Sequence, residues 1–209
     1  KWLHHHGPPI ALKEGKYQDE WSSSTAQDLF VCGDSAGGGL ALAVCMAQPA
    51  ALRRSLRGVI GLSAWADLTA STPSYESRQW RAEDCWGDAV NAGVTRQSGR
   101  EEAEGYLGSG GVEVHGKDWR ASPFFAPAAR LRRLPAVLLQ VGDFEVILDE
   151  SVLLHKRLEK LGHPDAKVQV YPRMWHCWHQ YEEGCGLGRL HQATKALKDL
   201  KQWVKARKT

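Results

Sequence analysis

Apolar residues in this chain fall into short unbroken runs that alternate with longer, helically spaced segments. Residues 28–32 (Asp-Leu-Phe-Val-Cys) form one run, closed by Gly33. Residues 57–62 form a second, residues 136–141 a third between Pro135 and Gly142, and residues 168–171 a fourth. Runs of this length bounded by turn residues read as buried strands. Between them, residues 36–48 are rich in Ala, Leu, Met and Val and stop before Pro49, which cannot continue a helix. After the third run, Asp149 is placed to cap a helix with Leu154, Leu158 and Leu161 on its apolar face, and Gly162 and Pro164 stop it. Leu190, Ala193, Leu197, Leu200 and Val204 recur at helical spacing near the end. Strand–helix alternation of this kind predicts an α/β fold, a mostly parallel sheet with helices on both faces. Residues 69–120 break the alternation. They are polar, hold several glycines and show no sustained period, so they are expected to form an irregular insertion or crossover region.

The chain has 209 residues, enough for one domain with a hydrophobic core. Its net charge of +3 is small and its basic residues are scattered, which leaves no basic stripe for nucleic acid. No apolar run approaches the ~20 residues of a membrane span, so stable membrane insertion is not expected. The opening Lys1-Trp2-Leu3-His4-His5-His6-Gly7 lacks the apolar core of a secretory signal. Five cysteines, an odd number with no C-x-x-C pair, argue against a disulfide framework or zinc site and for a cytoplasmic location. No metal or cofactor is expected.

The candidate chemistry begins at Gly33-Asp34-Ser35-Ala36-Gly37, a G-x-S-x-G between a strand and a helix. Such a turn lifts a serine hydroxyl clear of the sheet, and the glycines leave room for the turn and for close helix packing. The helix N-terminus then faces the oxyanion of an acyl-transfer reaction, with the Ala36 N–H as one donor. In the bland alternative, Ser35 merely caps the helix. A serine nucleophile needs a base and an acid, in that case on loops after later strands. His176 follows the fourth run by a short loop and is the candidate base, with His179 as the fallback. His4, His5 and His6 precede the serine; His115, His155 and His163 read as surface residues. For the acid, the loop after the third run offers Asp143, Glu145, Asp149 and Glu150, of which Asp149 is best used as the helix cap. Asp143 directly follows Gly142 and can close the turn, whereas Glu145 lies far enough out to reach a neighbouring loop and is favoured.

These blocks resemble the hormone-sensitive-lipase-like branch, or fold-3, of the α/β-hydrolases. Gly33-Asp34-Ser35-Ala36-Gly37-Gly38 is similar to that family's G-D-S-A-G-G elbow, and Leu62-Ser63-Ala64-Trp65-Ala66-Asp67-Leu68 to its L-S-P-W-x-D-L. Ser122-Pro123-Phe124-Phe125-Ala126 resembles S-P-x-x-A, Glu145 to Glu150 resembles D-P-L-x-D-E, and Met174-Trp175-His176 resembles M-x-H. The resemblance implies the three-layer α/β-hydrolase fold, hydrolysis of carboxylic esters of small molecules, and a triad of Ser35, Glu145 and His176. The chain departs from the pattern in having glutamate as the acid. It also lacks the H-G-G-G oxyanion block among the 34 residues before Ser35, where His6-Gly7-Pro8-Pro9 is the nearest string. Residues 1–209 are therefore expected to be the C-terminal portion of such a domain, without its first strands. The competing functional reading is a non-catalytic small-ligand-binding or degenerate member of the fold. Trp80, Trp86 and Tyr106 are candidates to line a pocket.

Overall fold

A computed structural model of the chain describes residues 29–183 and 188–207. The histidine run at 4–6, the 6–9 string and Cys185 lie outside them. Four parallel strands, β1 (Leu29–Asp34), β2 (Leu56–Leu62), β3 (Ala136–Gly142) and β4 (Ala166–Tyr171), are paired in chain order. The longer helices are α1 (Ala36–Ala47), α2 (Arg96–Leu107), α3 (Leu148–Lys160) and α4 (His191–Lys205). No helix among the described residues is long and apolar enough to cross a membrane.

Alternation along the strands explains the layers. Val31, Val59, Val137 and Leu139 point to one face, where Leu42, Cys45 and Met46 of α1 and Leu154 and Leu158 of α3 cover them. Phe30, Ile60 and Leu138 point to the other, under Leu200 and Trp203 of α4. Gly58 makes room there: a Cβ on it would lie 2.5 Å from the Trp203 ring. The three layers are those of a parallel α/β sheet covered on both faces.

Two expectations change. Asp149 does not cap α3; the cap position is Ile147, without a side-chain bond, and Asp149 lies in the first turn. Its own N–H instead faces Ser74 Oγ at 3.2 Å, so the loop before α3 is fastened by another segment. Residues 69–120 contain the twelve-residue α2, with shorter helical turns at Ser74–Ser77 and Gly111–His115. α2 escaped the pattern because its buried positions are Gly99 and Ala103, which form no apolar stripe. A Thr95–Ser98 capping box starts it.

α1 approaches the loop after β2 more closely than any side chain would allow. A Cβ at Gly39 would sit 2.2 Å from the Trp65 carbonyl oxygen, and one at Gly38 would sit 2.7 Å from Ala64 Cβ. Gly39→Ala is therefore expected to destabilise the fold by about 1–3 kcal/mol through overpacking. Gly105→Ala, on α2 with nothing within 4 Å of the new Cβ, should be neutral or stabilising by a few tenths to ~1 kcal/mol. Thermal unfolding of the two variants checks the contrast; equal melting points would contradict it.

Candidate active site

The C-terminal ends of parallel strands face one edge of the sheet, where such folds place their sites. Here each strand delivers one residue in turn. Ser35 follows β1, Ser63 follows β2, Glu145 follows β3 by a short turn, and His176 follows β4. The first two have positive φ, 52° at Ser35 and 47° at Ser63. Left-handed backbone is unusual for a side-chain-bearing residue and persists only where its surroundings hold it.

The elbow is held from three sides. Ser35 N–H donates to the Leu62 carbonyl at 2.9 Å, and the Ser35 carbonyl accepts from Gly38 and from Trp65 at 3.0 and 2.8 Å. A Cβ at Gly33 would lie 2.1 Å from the Gly37 carbonyl oxygen, so glycine there is obligatory. Gly37 itself has no such constraint, its nearest neighbour being Asp34 Oδ1 at 4.0 Å; the room is used at Gly38 and Gly39. Ser35 occupies the cap position of α1, yet its side chain makes no cap bond. Its hydroxyl faces His176 Nε2 at 2.9 Å instead. Ala36 begins α1, so its N–H has no acceptor within the helix.

His176 Nδ1 lies 3.0 Å from Glu145 Oε2. Glu145 is fully buried, and its other oxygen accepts from Gly142 N–H at 2.6 Å and from Ser63 Oγ at 2.8 Å. Burial pushes the Glu145 carboxyl up, while His176, the Gly142 N–H and the Ser63 hydroxyl pull it back toward the carboxylate. At His176 burial works against the charged ring, but the Cys177 thiol and the Glu145 carboxylate outweigh it and raise the pKa above the ordinary histidine value. Glu145, not Asp143, therefore meets the histidine. Asp143 Oδ1 accepts the Arg173 N–H at 2.5 Å and closes the turn.

The remaining histidines fall elsewhere. His155 and His163 are half-buried, with ring nitrogens at the Ala166 and Leu134 carbonyls, so both tie backbone segments together instead of standing on the surface. His179 is not solvent-facing: it is 7% exposed, stacked on Trp178, and neither ring nitrogen has a partner among the described residues. Burial pushes its pKa down to about 4, which leaves the ring neutral near pH 7.

Two supporting residues were not singled out from the sequence as parts of the site. Ser63 Oγ accepts the Cys177 N–H at 3.1 Å while donating to Glu145, so it joins the acid to the histidine loop. Asp88, buried and contributed by the 69–120 region, accepts the His176 N–H at 2.9 Å and the Val146 N–H at 3.3 Å. It fastens both loops to the insertion. Ser63 carried a signal, its place in the Leu62–Leu68 block; Asp88 carried none. Residues of the other family-like blocks act as latches. Glu150 accepts the N–H groups of Ala66 and Asp67, and Ser122 Oγ accepts that of Leu68 at 2.9 Å.

The site opens on two cavities that share Trp65. One, of about 220 Å³, is lined by Ser35, Trp65, Tyr75, Asn91, Ile147 and His176. The other, about 320 Å³, is walled by Leu40, Trp65, Leu68 and Tyr106 beside Ala36. Tyr106 thus lines a cavity, whereas Trp86 packs against Phe144 under the Arg78 and Arg81 guanidinium groups.

Known proteins share this arrangement of chain. A family model described as "alpha/beta hydrolase fold" matches residues 1–180. An acetyl-hydrolase of Streptomyces hygroscopicus is 33% identical over 76% of this chain and 48% of its own length. An esterase of Acinetobacter venetianus is 27% identical over 85% of this chain and 52% of its own. Among solved structures, a hormone-sensitive lipase from a metagenome library superposes with a TM-score of 0.68 at 26% identity, over 88% of this chain and 55% of that one. An esterase of the bacterial hormone-sensitive lipase family gives 0.67 at 26% identity, over 87% of this chain and 54% of that one. The chain thus spans about half the length of the relatives it matches.

The electrostatic coupling within the site is directly measurable. Glu145→Gln removes the carboxylate but leaves the burial that disfavours the imidazolium, so the His176 pKa is expected to fall. A pH titration of the His176 ring resonance by NMR checks the sign; an unchanged or higher pKa would contradict the coupling. Asp88→Ala strands the buried His176 N–H and should cost ~1–3 kcal/mol of stability by denaturant unfolding, with Asp88→Asn, which keeps one acceptor oxygen, losing less.

Proposed function

The chain belongs to the α/β-hydrolase fold family, in its hormone-sensitive-lipase-like branch, and from that premise we propose that it is a carboxylic ester hydrolase working through Ser35, His176 and Glu145. The observation that carries the reading is the unbroken chain of contacts from Ser35 Oγ through His176 to Glu145, at 2.9 and 3.0 Å. His176 Nε2 takes the proton as Ser35 Oγ attacks the acyl carbon, then returns it to the leaving alcohol. Water repeats the sequence on the acyl-enzyme. Glu145 holds the ring in the tautomer that leaves Nε2 free and stabilises the imidazolium once formed. Ala36 N–H, at the positive end of α1, donates to the oxyanion; one such donor is typically worth ~10²–10³ in rate.

The substrate class follows from the cavities. Volumes of about 220 and 320 Å³ lie on either side of the ~300 Å³ lower end of small-molecule sites. They fit a short acyl group on one side of Trp65 and a compact, largely apolar alcohol on the other. The names of the relatives support ester hydrolysis, and that of the acetyl-hydrolase supports a short acyl group.

p-Nitrophenyl esters of graded chain length, assayed beside Ser35→Ala, test the proposal. Acetate and butyrate are expected to be cleaved faster than long-chain esters, and Ser35→Ala to lose about 10⁶-fold in kcat. Equal rates for the two proteins would sink it. The pH profile has a definite sign. The base must be neutral in the free enzyme, and the His176 pKa is raised. kcat/KM should therefore rise with pH through a midpoint above the ordinary ~6.5 of histidine. A limb below that value would contradict the assignment of His176.

A further inference from the structure

His176 Nε2 has a second neighbour. Cys177 Sγ lies 3.4 Å from the same nitrogen that faces Ser35 Oγ at 2.9 Å. The thiol is held there by backbone, not by chance of rotamer alone: Cys177 is left-handed, with φ 54°, and its N–H is fixed by Ser63 Oγ. It does not line the cavity of Ser35. It opens on a separate one, of about 250 Å³, together with Cys32, Asp34, His179 and Gln180.

That second cavity carries a mark of its own. His179 lines it, is 7% exposed, and has two ring nitrogens without a hydrogen-bond partner among the described residues. A buried neutral imidazole offers one donor and one acceptor, and leaving both idle is costly. Both nitrogens have almost no accessible surface, so His179 shapes the cavity wall without presenting them to its contents. The charge of the walls is also defined: Asp34, whose carboxylate accepts from Gln180 Nε2 at 2.8 Å, is the one ionised group among these lining residues.

We propose that Cys177 is a modification site, a thiol activated by the triad's own histidine, and that the cavity beside it admits small cationic disulfides that cap it. His176 Nε2 takes the thiol proton. The sulfur attacks one sulfur of the disulfide, a new S–S bond forms and the old one breaks, and the departing thiolate recovers the proton from His176. Cys177 is oxidised to the mixed disulfide and half of the reagent is reduced to a free thiol. The adduct then stands beside the nitrogen that must serve Ser35, so hydrolysis stops until a reductant removes it. That last step rests on the hydrolase reading; the capping does not. Both thiols on the cavity stand near Asp34, whose Oδ2 is 4.0 Å from Cys177 Sγ; burial and that charge raise the Cys32 thiol, and what sets Cys177 apart is its contact with His176 Nε2.

The test uses the intact chain and cystamine, with adducts quantified at each cysteine by peptide mass spectrometry over time. Cys85, exposed and free, is the internal reference, and buried Cys45 reports folding by staying unlabelled. Cys177 is expected to label about tenfold faster than Cys85 at neutral pH, since a paired histidine speeds thiol attack. In His176→Gln the advantage should vanish while Cys45 remains protected. The anionic glutathione disulfide should react more slowly at Cys177 than cystamine. Ester hydrolysis should fall with Cys177 labelling and return on adding dithiothreitol, whereas whatever rate Cys177→Ser shows should not respond. Labelling of Cys177 no faster than Cys85, or equally fast in His176→Gln, overturns the proposal. If hydrolysis is absent from the start but the labelling pattern holds, the hydrolase reading fails and the activated thiol stands.

Discussion

The buried carboxylate of Glu145 is the constraint around which the rest of the site is arranged. An ionised group with no exposure to water is unfavourable unless its oxygens are fully engaged. Three donors engage it, and each comes from a different place: Gly142 from β3, Ser63 from the end of β2, His176 from the loop after β4. Satisfying one charge therefore fixes the relative positions of three strand ends. Ser35 enters through His176, and β1 is bound in turn by the Leu62 carbonyl and the Trp65 N–H. The alignment of Ser35, His176 and Glu145 and the burial requirement of a single group are here the same condition.

A second layer keeps that condition from relaxing. Asp88 and Glu150 spend their oxygens chiefly on backbone N–H groups, which position loops and take no part in proton movement. Burial and the neighbouring Asp67 carboxylate push Glu150 well above the usual carboxyl range, and it answers with bonds from Ala66, Asp67 and Tyr75. The region that reads as an irregular insertion is thus a structural part of the site. It supplies Asp88 from a loop and, through α2, the wall of the cavities.

What could be read from residues alone divides along physical lines. The strands were legible because each is a short apolar run closed by a turn residue, and the elbow because strand, serine and glycines are contiguous. Glu145 and His176 were legible by their order after the strands, although only the fold shows that their side chains meet. α2 was not, since a helix that buries a glycine and an alanine has no periodic signal. Nor was Asp88, which lies 88 residues from His176 and whose partners in the two site loops are backbone amides; side-chain patterns carry no trace of those. Asp149 misled because a capping residue in the right place is only a local preference, and here Ser74 fastens that stretch from a distance.

Because β1 to β4 lie side by side in the order of synthesis, the site behaves as a vernier on the sheet. A slip of one strand by a single residue moves its end by roughly 3.3 Å and turns its side chains to the opposite face. Contacts of 2.9 and 3.0 Å do not survive such a shift. The last strand added, β4, is also the one that brings the histidine. A chain whose sheet is nearly assembled but misaligned at that edge would have its layers and core in place and no contact between Ser35 and His176, so a probe of that contact would register alignment of the whole sheet where spectroscopic measures of secondary structure would not.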